Sequence, residues 1–436
     1  MEHSAVVIGS GLGGLQCGHI LSRRGWKVTV LEQHSRIGGC MQSFRRGNAT
    51  FDTGLHFVGG AGEDGGLELL FSEFGLMDLP WKRLDGEEVC IGGQSFFLPS
   101  GYDAYSEALC SYFPESTSEI ADYLAHLSQV EKHHEYMDVS AWRWLCDTIS
   151  DPLLRKVLSG TSLKMELDAD RLPLYTFARI NDAFIRGAWQ LRGGGSQIAE
   201  KLAQDIRNMG GEVLSGKKVV ALESIDGAVS AVIAEDGSRY CPEVVISDIH
   251  PSCLLAMTDK VRKIYKDRVS GLDNTKGLST VNIRLREYAP SGENRSIYVH
   301  GADVDLWRPR ADVLETVGIS FGEGTVDLMT RTCFGDADEL AGRCIDFVSC
   351  RLPWLRDAVD EYFVSTPRTY ERYTGTPEGS AYGIVRDCND MMRTSLSVRT
   401  PLKNLYLTGQ NVGIHGVLGV TKSSYRTCEE ILGKKI

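Results

Sequence analysis

The chain has 436 residues, 42% of them hydrophobic and 24% charged, and 47 Lys+Arg against 58 Asp+Glu leave a formal charge of -11. Ordinary apolar content excludes a disordered chain; a folded protein of 48.1 kDa exposes about 16,500 Å² and hides roughly three quarters of its unfolded surface, enough for two domains. The acidic balance, with no long Lys/Arg run to neutralise phosphates, excludes nucleic acid as a partner.

Residues 4–8 read as a short buried strand, followed by Gly9-Ser10-Gly11-Leu12-Gly13-Gly14 and a helical pattern through Arg24, closed by Gly25. Lys27-Val28-Thr29-Val30-Leu31 reads as a second strand ending at Glu32, so the chain opens on a βαβ unit. Glycine-rich loops fill 37–66. From about 95 to 185 the pattern is helical, with Ile120, Leu124, Leu127 and Val130 at one spacing and Ile149, Leu153, Val157 and Leu158 at another. Pro152 and Pro173 start or break helices there. After Arg192-Gly193-Gly194-Gly195-Ser196 a helix runs to Met209, and strands are expected at 212–214, 218–222, 228–234 and 243–247. Residues 250–400 mix strands and helices. The chain ends on a strand at Leu405-Tyr406-Leu407-Thr408-Gly409, a glycine loop, and a helix from about Gly419 to Leu432.

Twelve cysteines are scattered, without a CxxC pair or a Cys/His ligand spacing, which fits reduced thiols in a cytoplasmic protein and no metal site. No uninterrupted apolar run of about 18 residues occurs, so a soluble or surface-attached protein is expected. Apolar positions between 69 and 84 (Leu69, Leu70, Phe71, Phe74, Leu76, Met77, Leu79, Trp81) could form an interfacial helix for peripheral membrane contact, or be buried in the core.

Gly9-x-Gly11-x-x-Gly14 sits between a strand and a helix. The first glycine permits a tight turn, the second lets backbone approach a pyrophosphate, and the third lets the helix pack on the strand. Glu32 ends the second strand, where a carboxylate would take the ribose hydroxyls and disfavour a 2′-phosphate. That leaves NAD or FAD. The Arg36-Ile37-Gly38-Gly39 stretch and the glycine loop at 409–419 add backbone contacts from both ends of the chain, which fits the longer FAD. Only one complete fingerprint is present: Gly193-Gly194-Gly195 and Phe321-Gly322-Glu323-Gly324 have the wrong spacing, so no separate nicotinamide domain is expected.

The run from Val6 through Gly60, including Phe51-Asp52-Thr53-Gly54-Leu55-His56-Phe57-Val58-Gly59-Gly60, resembles the phytoene desaturase, carotenoid isomerase and retinol saturase group of the FAD-dependent amine oxidase superfamily. So do Gly210-Gly211-Glu212-Val213 with Ser247-Asp248-Ile249-His250-Pro251, and Leu407-Thr408-Gly409-Gln410-Asn411 through Gly416-Val417-Leu418-Gly419-Val420. These blocks cover about a third of the chain. The resemblance implies an α/β fold: a Rossmann-type FAD domain (glutathione reductase-like, amine oxidase type) from 1–70, 187–250 and 396–436, and a discontinuous mixed α+β substrate domain from 71–186 and 251–395. It further implies non-covalent FAD, with Gly9, Ser10, Gly11, Gly13 and Gly14 at the pyrophosphate, Glu32 at the ribose and Val219 at the adenine. Gly38, Gly39, Gly409 and Gln410 would lie along the diphosphate or ribityl chain, and Gly416, Val417 and Leu418 would face the flavin. Cys40 stands where many members carry arginine, a contact that Arg36 could supply. Gln410 replaces an acid.

The activity implied is an oxidoreductase that desaturates, saturates or isomerises carbon–carbon bonds of an elongated apolar substrate such as a carotenoid, retinoid or other isoprenoid lipid. An amine or amino-acid oxidase, or a lipid carrier without redox chemistry, would use the same scaffold. His56 and His415 are the candidate proton carriers, or else wall residues bonded to backbone carbonyls. His250 reads as structural, and His133-His134 as solvated surface. Trp142, Trp144, Tyr175, Phe177 and Phe184 could line a substrate tunnel or form helical core. Oligomeric state is not legible.

Overall fold

Two near-continuous apolar runs, Ser4–Ile8 (β1) and Lys27–Leu31 (β2), form parallel neighbours, as expected of strands covered on both faces. The computed structural model describes residues 3–62, 66–290, 292–310, 312–332 and 335–436. The helix between these strands, Leu12–Ser22 (α1), buries every residue because it is sandwiched between the sheet and two further helices, Ser196–Asn208 and Gly416–Leu432. It closes with Trp26 N–H on the Leu21 carbonyl and Gly25 N–H on Ser22, and Gly25 at φ +78 supplies the left-handed turn. The parallel sheet has five strands in the order Glu212–Leu214, β2, β1, Val244–Ser247, Leu405–Leu407. Strands from the beginning, middle and end of the sequence therefore lie side by side.

A second sheet of seven strands joins Gly86–Ile91 and Gln94–Pro99 to five strands between residues 279 and 365. The helical pattern expected from residue 95 begins only at Tyr102, because Gln94–Pro99 turns back at Gly92-Gly93 and pairs with Gly86–Ile91, burying Phe96 and Leu98. Helices between 102 and 186 pack over this sheet, with Ile120, Leu124, Leu127 and Val130 all buried in one cluster. Pro152 opens its helix behind the Asp151 cap, and Pro173 precedes Leu174–Arg186. The C-terminal helix starts at Gly416, three residues earlier than its sequence pattern indicates.

The 69–84 segment forms no long amphipathic helix. Leu67–Ser72 is a six-residue helix, and Phe71, Phe74 and Leu76 are buried in the core around α1, leaving Leu69 as the exposed apolar side chain. Among the described residues no helix is long and apolar enough to cross a membrane.

Candidate active site

The turn from β1 into α1 is a backbone cradle. A Cβ on Gly14 would overlap the Gly9 carbonyl oxygen, so only glycine lets α1 approach β1 this closely. Glu32, buried at the end of β2, accepts the Ser10 N–H (3.0 Å) and the Ser10 hydroxyl (2.5 Å) on Oε2, and the His34 N–H (2.9 Å) on Oε1. Ser10 also takes the Gly38 N–H on its carbonyl (3.0 Å) and its Oγ (3.2 Å). One serine thus ties the acid, the first turn and the Gly38-Gly39 turn together. Oε2 spends both its lone pairs on Ser10, but Oε1 keeps lone-pair capacity for a hydroxyl donor, as a ribose requires.

One cavity of about 1140 Å³ runs from this cradle through the molecule. Pockets for one drug-sized ligand span about 300–1,000 Å³, so there is room for more than one group. Gly9, Ser10, Gly11, Gly13, Glu32, Gly38, Gly39, Val219, Gly409, Gln410, Gly416, Val417 and Leu418 all border it. Gly14 does not, and serves packing instead. Arg36 is exposed outside the cavity, its guanidinium 3.5 Å from the Ser43 carbonyl, so it does not replace the missing arginine at Cys40. Sequence reasoning missed Arg386, which borders the cavity and donates to the Thr394, Asn411 (2.7 Å) and Gly413 (2.9 Å) carbonyls. Burial lowers this guanidinium to about 10, and it braces the 411–413 loop.

At the other end the wall is apolar and aromatic: Phe57, Leu163, Ile180, Phe184, Leu278 and Met329. Of the aromatic candidates, Tyr175 and Phe184 border the cavity, Phe177 is buried core, and Trp142 and Trp144 pack behind it. The polar groups here are few. His56 Nδ1 stands 3.3 Å from Asp327 Oδ2, and Asp327 Oδ1 accepts from Asn282 Nδ2 at 2.6 Å. Burial alone pushes the His56 imidazole down, but its bond and charge attraction to Asp327, with Asp52 beyond, outweigh that and raise it above its ordinary 6.5. Asp327 is the second residue sequence reasoning missed. The third is Lys164, bonded to Glu87 at 2.5 Å and lying 4.0 Å over the Phe184 ring centroid.

His415 begins the C-terminal helix, and its Nε2–H donates to the Lys164 carbonyl at 3.1 Å. Burial holds it near 4, so the ring is neutral at physiological pH and shapes the wall. His250 caps the helix Pro251–Ala256 and contacts Asn274 at 3.0 Å. His133 pairs with Glu135 at the surface, whereas His134 reaches the cavity mouth. Among the described residues no cluster could hold a metal ion.

The cradle, the free capacity on Glu32 and the helix N-terminus at Gly416 fit an elongated dinucleotide such as FAD. Residues 7–74 match the model of an NAD(P)-binding Rossmann-like domain, a span that covers the βαβ opening. Human all-trans-retinol 13,14-reductase is 25% identical over 99% of this chain and 86% of its own. The lycopene-forming phytoene desaturase of Pantoea ananas is 24% identical over 56% and 54%. A solved putrescine oxidase variant superposes with a TM-score of 0.73 at 16% identity, covering 99% of each chain. The fold is that of the amine oxidase type. Within it, the chain is an enzyme similar to the retinol saturase and phytoene desaturase group.

Proposed function

We propose that this protein is an FAD-dependent oxidoreductase that desaturates, saturates or isomerises carbon–carbon bonds of an elongated apolar substrate, a carotenoid, retinoid or other isoprenoid lipid. One observation carries the reading: a single cavity joins the backbone cradle to an apolar chamber. The retinol reductase and phytoene desaturase relatives support the substrate class. When bound, FAD supplies a two-electron hydride donor or acceptor. The Gly9–Gly13 turn and the 409–411 loop would hold its diphosphate, Glu32 its ribose, and Val219 its adenine. The N-terminus of Gly416–Leu432 would stabilise negative charge at the ring. Phe57, Phe184, Leu278 and Met329 would align the substrate and exclude water. His56, its proton affinity raised by Asp327, would deliver a proton to carbon in saturation as the imidazolium and, as the neutral ring, accept one in desaturation.

The test is spectroscopic. The purified protein should be yellow, or become so with added FAD, and its flavin should be reduced or reoxidised anaerobically by a polyene substrate. Colourless protein that takes up no FAD sinks the reading. Hydrogen peroxide released on amines would instead indicate amine oxidation, and flavin inert to every donor would indicate a lipid carrier.

A further inference from the structure

Asp248 leaves the central strand Val244–Ser247, its N–H held by the Ile8 carbonyl at 2.9 Å. Its carboxylate turns under the start of α1, where the Gly14 amide favours its charged form. One carboxylate oxygen lies 2.5 Å from the point where a Cβ on Gly13 would stand, and the two oxygens crowd the same points at Gly11 and Gly409. These three glycines come from opposite ends of the chain, and all three line the proposed diphosphate site. A fixed carboxylate therefore faces the floor of a cradle that the functional reading fills with a second anion.

Among the described residues no cationic side chain figures among the groups that act on Asp248. The end of β2 contributes the Glu32 carboxylate. The Gly39–Met41 turn contributes the Cys40 thiol, pushed up to about 11 by desolvation and by Asp248 itself. His250, two residues along, is lowered by burial. Helix α1 gives only amides, and the 409–411 loop has no titratable side chain. Two ionised anions at such close quarters repel; neutralising one removes the conflict and turns the carboxyl into a donor.

We propose that Asp248 is the proton-binding member of the cofactor cradle: FAD binds together with one proton from solvent, which joins the Asp248 carboxylate, and the resulting carboxylic acid donates to the diphosphate. This inference rests on the FAD reading. It agrees with the state of the free protein, in which burial, with a smaller push from Glu32 and against the Gly14 amide, already raises Asp248 to about 7. A neighbouring diphosphate raises it further, so affinity is flat below about pH 7 and falls with rising pH above it, by up to about tenfold per unit.

The experiment measures FAD dissociation from the full-length protein by flavin fluorescence at pH 6, 7, 8 and 9. The expected result is a dissociation constant that climbs about tenfold per unit above pH 7 in the native protein. In Asp248→Asn it should be nearly flat and at least about tenfold lower than native at pH 9. Calorimetric titration of native protein with FAD at pH 8, in buffers of different ionisation enthalpy, should show uptake of about one proton, which does not depend on any variant folding. A flat native profile, no proton uptake, or an unchanged slope in Asp248→Asn overturns the inference while leaving flavin binding intact. Failure of the native protein to bind FAD even at pH 6 overturns the dinucleotide reading, and this inference with it.

Discussion

His56 and His415 border the same cavity, yet their surroundings shift their titrations in opposite directions. His415 is half-buried, spends its Nε2–H on the Lys164 carbonyl, and sits at the positive end of a helix, so the neutral ring is favoured. His56 is half-buried too, but faces Asp327 at 3.3 Å with Asp52 behind. Removing the Asp327 charge leaves desolvation as the dominant influence. Asp327→Asn should therefore drop the His56 titration from above 6.5 to below it, as followed by the histidine ring protons in NMR. If His56 carries the reaction's proton, the alkaline limb of the kcat profile should move down with it, while FAD affinity stays as in the native protein. An unmoved His56 titration would refute the pairing. Lys164→Met breaks a buried ion pair and leaves Glu87 without its cation, a change that typically costs about 3–5 kcal/mol, read as a lowered midpoint in urea unfolding.

At the scale of elements, the first turn shows that two glycines in one motif region answer to different demands. Gly14 sits where a methyl group would collide with the Gly9 carbonyl; Gly25 has a left-handed backbone with open space around it. Gly14→Ala must push α1 off β1, at about 1–3 kcal/mol or more, and should lower both thermal stability and bound FAD. Gly25→Ala should cost about 1–2 kcal/mol and leave FAD occupancy unchanged; equal loss of flavin in both would show that α1 placement does not govern the cradle. This opening unit was legible in the sequence because its contacts are local: strand, turn, helix and acid follow one another within the range over which spacing carries meaning. The 409–411 loop and the Gly416 helix start were legible only through their resemblance to known flavoproteins. Asp327 was not legible, since it lies on the distant strand Thr325–Thr330 and meets His56 only through tertiary packing. Gln94–Pro99 was misread as helical because its alternation is short and its partner is set by a hairpin. Arg36 failed for a related reason: sequence gives its distance from Cys40 but not the direction of its side chain.

Across the whole molecule, two inward-facing histidines, His300 buried and His415 half-buried, fasten different layers to the same corner. His300, on the strand Arg295–His300, contacts the Gly160 carbonyl through Nε2 at 2.7 Å, and His415, on the nucleotide side, contacts the Lys164 carbonyl. Residues 160–164 are thus a junction of the helical layer, the seven-stranded sheet and the C-terminal helix. Burial lowers both rings to about 4. An unfolded histidine titrates near 6.5, so between about 6.5 and 4 the unfolded chain binds more protons than the folded one. Each ring's contribution is present above pH 6.5 and is lost as pH falls toward 4, by about 3 kcal/mol per ring. Asp248 works in the other direction, because its folded value lies above the unfolded one and acidification favours the folded state. The total slope is therefore a difference, and one histidine must be isolated. His300→Gln keeps an amide donor near Gly160 but cannot titrate. Urea unfolding at pH 7 and pH 5 should show the native protein losing about 2 kcal/mol more on acidification than His300→Gln. Parallel losses in the two proteins would mean that His300 is already protonated in the folded state, and that the junction is not what acid releases.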